Sequence, residues 1–165
     1  MDKLSFVPVT THSAIDSVKT LAEKIWPEYY QPLIGISQVE YMLEKIQSRQ
    51  AIQSQINQGS RYYLIQERDW LMGYLAVLPK PSELFLSKLY LTAESRGKGY
   101  GRQAMEFVKE TALAQNLNQI TLTVHKQNPS VQAYHKMGFQ IVEPVITNIG
   151  GGFVMDDFKM KMTFE

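Results

Sequence analysis

The chain has 165 residues, of which 44% are hydrophobic and 20% charged, and its formal net charge is +1; this fits one globular domain with its own core and excludes a global basic field for nucleic acid. It has no cysteine, which excludes disulfides, thiolate metal sites and a cysteine nucleophile. No apolar run is long enough to span a bilayer, and the first ten residues, MDKLSFVPVT, hold no signal-type apolar core, so a cytoplasmic location without membrane contact is the expectation.

Residues 4–9, LSFVPV, read as a short strand that Pro8 places near a sheet edge or end. Residues 13–30 carry Ile15, Val18, Leu21, Ala22 and Ile25 at helical spacing. Ser37, with Glu40 three residues on, has the form of a capping box for a second helix bearing Val39, Met42, Leu43 and Ile46. A further helical piece ends at Gly59. Residues 61–66 and 70–78 read as two strands about a hairpin turn at Glu67-Arg68-Asp69. After the break at residues 79–82, residues 83–91, ELFLSKLYL, read as a third strand of this run. A glycine-rich loop and a helix to about Asn116 come next, with Ala104, Met105, Val108 and Ala112 on one helical face. Residues 119–125 alternate like a strand, residues 130–136 form a short helix ended by Gly138, and residues 139–147 and 153–164 are two closing strands. Strand runs with interleaved helices predict an α/β or α+β sandwich around one mixed sheet, in a single domain over 1–165.

The loop carries the strongest chemical signal. Its sequence over 94–105, ESRGKGYGRQAM, sets Gly97, Gly99 and Gly101 among Arg96, Lys98 and Arg102. Backbone N–H groups at a helix start bind anions, and glycine permits φ > 0 and close approach. The plain structural reading is a turn lined by solvated cations. No Lys-Ser or Lys-Thr follows the glycines, so a Walker loop is excluded. Gly99-x-Gly101-x-x-Ala104 satisfies a dinucleotide fingerprint by itself. Residues 92–98, however, separate it from the strand, and the next strand ends in His125-Lys126 without an acid. A nicotinamide dinucleotide stays as an alternative.

Arg96-Gly-Lys-Gly99-Tyr-Gly101 also matches Arg/Gln-x-x-Gly-x-Gly/Ala, and Tyr134-His-Lys-Met-Gly-Phe139 matches Tyr-x-x-x-Gly-Phe. On these two motifs the sequence resembles the GNAT superfamily of N-acetyltransferases, over residues 61–164 and more loosely over the helices before them. The resemblance implies an α/β (α+β) fold with a mixed, mostly antiparallel central sheet flanked by helices. Residues 1–60 are then a helical acceptor-side portion and residues 61–165 an acetyl-CoA-binding core. Acetyl-CoA is the implied cosubstrate. Arg96 opens its pyrophosphate loop, and the backbone amides of Gly97, Lys98, Gly99, Tyr100, Gly101 and Arg102 wrap the anion. The glycines should then outweigh the side chains of Lys98 and Tyr100. Leu89, Tyr90 and Leu91 match the strand that meets the acetyl carbonyl and the pantetheine arm, with the Leu91 N–H polarising the thioester. Asn128 matches an asparagine that binds the same arm, but it lies one residue closer to Tyr134 than the family pattern has it. Tyr134 matches the general acid for the leaving thiolate, and a phenol is a competent donor; its plain reading is a packed helix residue.

The general base stays open. Glu83 starts a strand, but Phe85 holds the usual family position. His125, two residues beyond the other family position at Thr123, is a side-chain type that serves as a base. The plain readings are a solvated strand end and an exposed turn residue. On the acceptor side, Trp26, Tyr29 and Tyr30 could wall a cationic amine, or pack as core. Asp156 and Asp157 follow a glycine-rich turn, and at most one of them faces a groove. His12, His125 and His135 lack ligand spacing, so no metal is expected. The implied activity is acetyl transfer to a small-molecule or polypeptide primary amine by direct attack in a ternary complex. The alternative is a non-catalytic acyl-CoA-binding or sensor domain. The family is often dimeric, so a homodimer is an implied assembly that no residue here fixes.

Overall fold

The computed structural model describes residues 3–164. Thr11 opens the first helix, its hydroxyl accepting from the Ala14 N–H at 3.1 Å as an N-cap does. Helix α1, His12–Ile34, runs past the expected end at residue 30 and contains Pro27 and Pro32. Gly35, with φ of 80°, ends α1 and also stands as N-cap of α2, Ile36–Ile46. Ser37 therefore lies inside α2, no side chain caps that helix, and the expected Ser37–Glu40 box does not form. A residue at positive φ redirects the chain in one step, so the glycine takes the boundary before the serine. Helix α3, Arg49–Asn57, is capped by Ser48, which accepts from the Ala51 N–H at 3.1 Å.

Among the described residues seven strands form one sheet: β1 Ser5–Pro8, β2 Arg61–Glu67, β3 Trp70–Pro79, β4 Leu84–Leu91, β5 Gln119–His125, β6 Gln140–Gly150 and β7 Phe153–Thr163. Their order is β1-β2-β3-β4-β5-β7-β6, and every neighbouring pair is antiparallel except β4 with β5. Strand alternation divides the core. Tyr62, Leu64, Tyr74 and Ala76 face α1–α3. Ile65, Leu75, Val77 and Leu122 face α4, Tyr100–Ala114, and α5, Ser130–Met137. Among the described residues no helix is long and apolar enough to cross a membrane.

The parallel pair is brief. Only Leu84↔Ile120 and Phe85↔Thr121 are in register, and beyond them β4 and β5 part. The cause lies on the other edge of β4. Ala76 pairs with Lys88 and Val77 with Leu86, which leaves Ser87 as an extra residue. Its hydroxyl donates to the Ala76 carbonyl at 3.2 Å. A bulge bends and overtwists its strand, so β4 swings away from β5.

A second bulge, at Met72, lies between Ile65↔Gly73 and Gln66↔Leu71. Gly73 beside it meets the end of β4 without a gap: a Cβ there would stand 1.9 Å from the Tyr90 carbonyl oxygen. Gly73→Ala must push β3 and β4 apart. We expect it to destabilise the protein by about 3 kcal/mol, the upper part of the usual overpacking range. A urea titration checks this, and an unchanged midpoint refutes the close-approach account.

Candidate active site

The parted strands enclose a wedge. A cleft between them is lined by Tyr29, Leu89, Tyr90, Asn128 and Tyr134. It continues past Leu91 and Arg96 to Gly101 and Met137 as a space of about 140 Å³. Toward α1 and α2 it meets a second cavity of about 140 Å³, lined by Trp26, His125, Met155 and Asp157. Tyr30, Lys88 and Tyr90 line both this cavity and the cleft, so the passage crosses the sheet.

The loop is built to start a helix. Thr92 leaves β4 by donating its N–H to the Met72 carbonyl at 2.8 Å, and its hydroxyl meets that of Ser95 at 2.6 Å. By strand alternation the Leu91 N–H then points away from β3, into the wedge. Gly97 and Gly99 have φ of 75° and 82°, and Gly99 is the N-cap of α4, which has no side-chain cap. The first turn of α4 thus presents backbone N–H groups at the positive end of the helix dipole. Gly101 has space: a Cβ there would meet only the Met137 methyl, at 4.0 Å.

The loop side chains divide sharply. Lys98 and Arg102 are exposed. Arg96 turns back instead. Its Nε donates to the Leu91 carbonyl at 3.1 Å, Nη1 donates to Glu28 at 2.6 Å, and the guanidinium lies 5.1 Å from the Tyr29 ring centre. Tyr100 is buried, and its hydroxyl donates to Glu67 at 2.6 Å. The expectation that the Tyr100 side chain carries little weight is therefore corrected. Its backbone faces the loop while its ring is core, because position 100 begins an amphipathic helix.

Opposite the loop stands α5, whose C-cap Gly138 has φ of 108°. Tyr134 projects from it, half-buried, with its ring edge-on to Phe139 at 5.6 Å. Its hydroxyl has no hydrogen-bond partner among the described residues. Burial, and then the neighbouring Tyr29, hold its pKa above the ordinary phenol value. Asn128 is buried, and its Oδ1 accepts from the Tyr29 hydroxyl at 3.0 Å and the Ser130 N–H at 2.8 Å. The Tyr29 hydroxyl also meets that of Ser130 at 2.6 Å, and the Tyr30 hydroxyl meets that of Tyr90 at 2.7 Å. Burial raises the pKa of both Tyr30 and Tyr90.

Three further candidates separate. Trp26 is 2% exposed and packs edge-on to Tyr30 and tilted against Tyr90, so it is both core and cavity floor. His125 lines the helical-side cavity, its Nδ1 accepting from the Gln127 N–H at 3.1 Å. Glu83 is not in the site. It accepts from the Thr121 hydroxyl at the closed end of the wedge, a strand's length from Leu91. The strand runs away from it, which corrects the expectation for Glu83. Two charged residues stand out beside these. Asp157 is buried and its Oδ1 has no hydrogen-bond partner among the described residues, while Asp156 pairs with Lys126 at 2.9 Å. Lys88, which sequence reasoning passed over, donates to Gln55 at 3.2 Å, and burial lowers its pKa to about 8. The signal was present: one lysine within the apolar strand LFLSKLYL.

Comparison with known proteins places this geometry. The family model for the acetyltransferase (GNAT) domain matches residues 31–164. The mouse protein N-alpha-acetyltransferase 80 is 33% identical over 69 residues, which is 42% of this chain and 21% of that protein. The chain thus matches about a fifth of that relative's length. The PaiA N-acetyltransferase of Thermoplasma acidophilum, solved with coenzyme A, superposes with a TM-score of 0.79 at 18% identity, covering 98% of this chain and 99% of that one. A GNAT acetyltransferase of Elizabethkingia anophelis with acetyl-CoA bound gives 0.66 at 14% identity, covering 99% and 100%. The shared fold, the parted β4 and β5 and the match over residues 31–164 lead to one conclusion: the chain belongs to the GNAT family of acetyltransferases.

Proposed function

We propose that this protein is an acetyl-CoA-dependent N-acetyltransferase that passes the acetyl group to a primary amine by direct attack in a ternary complex. One observation carries the reading. The wedge between β4 and β5 ends on the uncapped start of α4, and the unpartnered hydroxyl of Tyr134 lines it.

The residues present fit the donor. Gly99 at positive φ and the bare first turn of α4 form an anion seat for a pyrophosphate. Arg102, Lys109 and Lys136 line an adjoining cavity that shares Met137 with the cleft, and they add positive charge beside that seat. The Nδ2 of Asn128, without a partner among the described residues, would donate to the pantetheine arm, while its Oδ1 is held by Tyr29 and Ser130. Acetyl-CoA supplies an acetyl group already activated as a thioester.

The chain's own groups then do three things. The Leu91 N–H points into the wedge, where it would stabilise negative charge developing on the acetyl oxygen. The Tyr134 phenol, held protonated by burial, donates to the leaving thiolate. Burial in the same cleft raises the thiol's own affinity for that proton, so the transfer is better matched than solution values suggest. The aromatic side chains and the end of α1 limit water around the thioester. No cysteine is available for an acyl-enzyme, which favours direct attack.

Gly101→Asp places a carboxylate at the anion seat where a side chain has room. Acetyl-CoA affinity should fall about 100-fold, roughly 2.7 kcal/mol, with the fold intact; calorimetry showing wild-type affinity removes the pyrophosphate assignment. Tyr134→Phe should lower kcat by about 100-fold and leave the KM for acetyl-CoA nearly unchanged. Full turnover across the pH range ends the general-acid role. Thiol release from acetyl-CoA against a panel of primary amines tests the class, and tight CoA binding with no release for any amine points instead to a sensor.

A further inference from the structure

The cavity on the helical side of the wedge holds two titratable side chains, Asp157 and Lys88, that have no ion-pair partner among the described residues. Asp157 on β7 is only 6% exposed, yet its Oδ1 has no hydrogen-bond partner among the described residues. Lys88 on β4 has a neutral partner, Gln55, and no carboxylate partner among the described residues. Burying an unpaired charge costs free energy, and such a group is retained where a ligand completes it. The cavity opens to the cleft past Tyr30, Lys88 and Tyr90. Asp157 lines the cavity and Tyr134 lines the cleft, and Tyr30, Lys88 and Tyr90 line both, so the carboxylate's cavity adjoins the reacting centre.

We propose that Asp157 is the acceptor site's catalytic carboxylate, binding the acceptor's ammonium and taking its proton, and that Lys88 restricts the acceptor to primary amines without a second positive charge. This rests on the acetyl-transfer reading above. The protons balance. The acceptor arrives as R-NH₃⁺ and gives one proton to the Asp157 carboxylate, which later releases it to solvent. The neutral nitrogen then forms the C–N bond to the thioester carbonyl carbon, and the C–S bond breaks with its electron pair going to sulfur. Tyr134 protonates that thiolate and is reprotonated by the second proton that the nitrogen sheds. The products are the N-acetyl amine, CoA thiol and one released proton.

The groups facing Asp157 set the pH dependence. His125 on β5, Asp156 on β7, Lys126 in the turn after β5 and Tyr30 on α1 all act on it or feel it, and Lys88 lines the same cavity. Burial raises the Asp157 pKa above the ordinary carboxylate range, with His125 opposing. Protonation as pH falls abolishes both anchor and base. Activity toward a monoamine should therefore decline on the acid side at a pH above that of an ordinary carboxylate. The lowered basicity of Lys88, about 8, means that its repulsion weakens as pH rises through that value.

The test is a kcat/KM comparison of primary monoamines with α,ω-diamines of matched length, run on the full chain across pH. Wild type should favour monoamines below pH 8. Asp157→Asn should lose about 100-fold or more in kcat/KM and lose the acid limb, while calorimetry shows acetyl-CoA binding unchanged. Lys88→Met should raise the diamine-to-monoamine ratio of kcat/KM about tenfold, the effect of removing one unfavourable charge contact. Lys88→Arg should keep the discrimination and extend it to higher pH. A wild-type preference for diamines, or an acid limb that survives Asp157→Asn, overturns the proposal and leaves acetyl transfer standing. Absence of turnover with every amine defeats the acetyl-transfer reading, and this proposal with it.

Discussion

The site depends on one extra residue in a strand. Ser87 cannot be paired while Ala76 and Val77 hold Lys88 and Leu86, so β4 bends and leaves β5 after two residues of parallel pairing. Backbone groups on the parted edges lose the ladder partners that a closed sheet would give them. Buried groups of that kind must find water or a ligand. A polar-edged slot through the middle of a sheet is therefore costly to leave empty and well suited to an extended, amide-bearing chain such as pantetheine. Hydrophobic packing could not make such a slot, because packing closes gaps. A bulge can, because the misfit is fixed by the backbone.

The helical portion is not an accessory to this slot. α1 contributes three polar ties to it: Tyr29 to Asn128 and Ser130, Tyr30 to Tyr90, and Glu28 to Arg96. The same helix buries Ile15, Val18, Ile25 and Trp26 against strand residues Tyr62, Leu64, Tyr74 and Ala76. The apolar contacts supply the adhesion, and the polar ties set where the helix end sits over the wedge. The exposed Glu28–Arg96 pair adds little stability by itself. Its geometric effect is larger, since Arg96 also holds the Leu91 carbonyl at the point where β4 ends.

Much of this was legible in the sequence, and the reasons differ by element. Alternation over residues 119–125 locates β5 without error, because one face is core and the period of two has no competitor. Gly138 marks the end of α5 because positive φ there all but requires glycine. The two glycine motifs find the loop and the tyrosine helix for the same reason. What stayed hidden depends on spacing between strands. Ser87 looks like any strand serine until its partners on β3 are known. Glu83 starts the strand two residues before the usual family position at Phe85, and the extended strand carries it to the far end from the loop. Ser37 was displaced as a cap by Gly35, a tertiary choice that local propensity does not register. Lys88 and Asp157 were visible as residue types, and only burial distinguishes them from solvated charges.

Those two charges return the argument to the sheet order. β5 stands between β4 and β7, and β4 has already left β5 at Lys88, so Lys88 and Asp157 start from backbones further apart than the roughly 10 Å of two normal strand spacings. Lys88 also leans toward β2, over the Tyr62 ring and onto Gln55, which takes it further from β7. The two do not form an ion pair, which would silence both. A carboxylate with a buried oxygen that has no partner among the described residues is a stability cost that random substitution would remove easily. Here His125, across from Asp157 in the ladder, and Lys126 act on it from a distance, and neither hydrogen-bonds its Oδ1. The bulge that opens the donor slot on β4 and the strand that divides it from β7 act together. One arrangement of backbone opens the slot on β4 and holds Lys88 and Asp157 on separate strands.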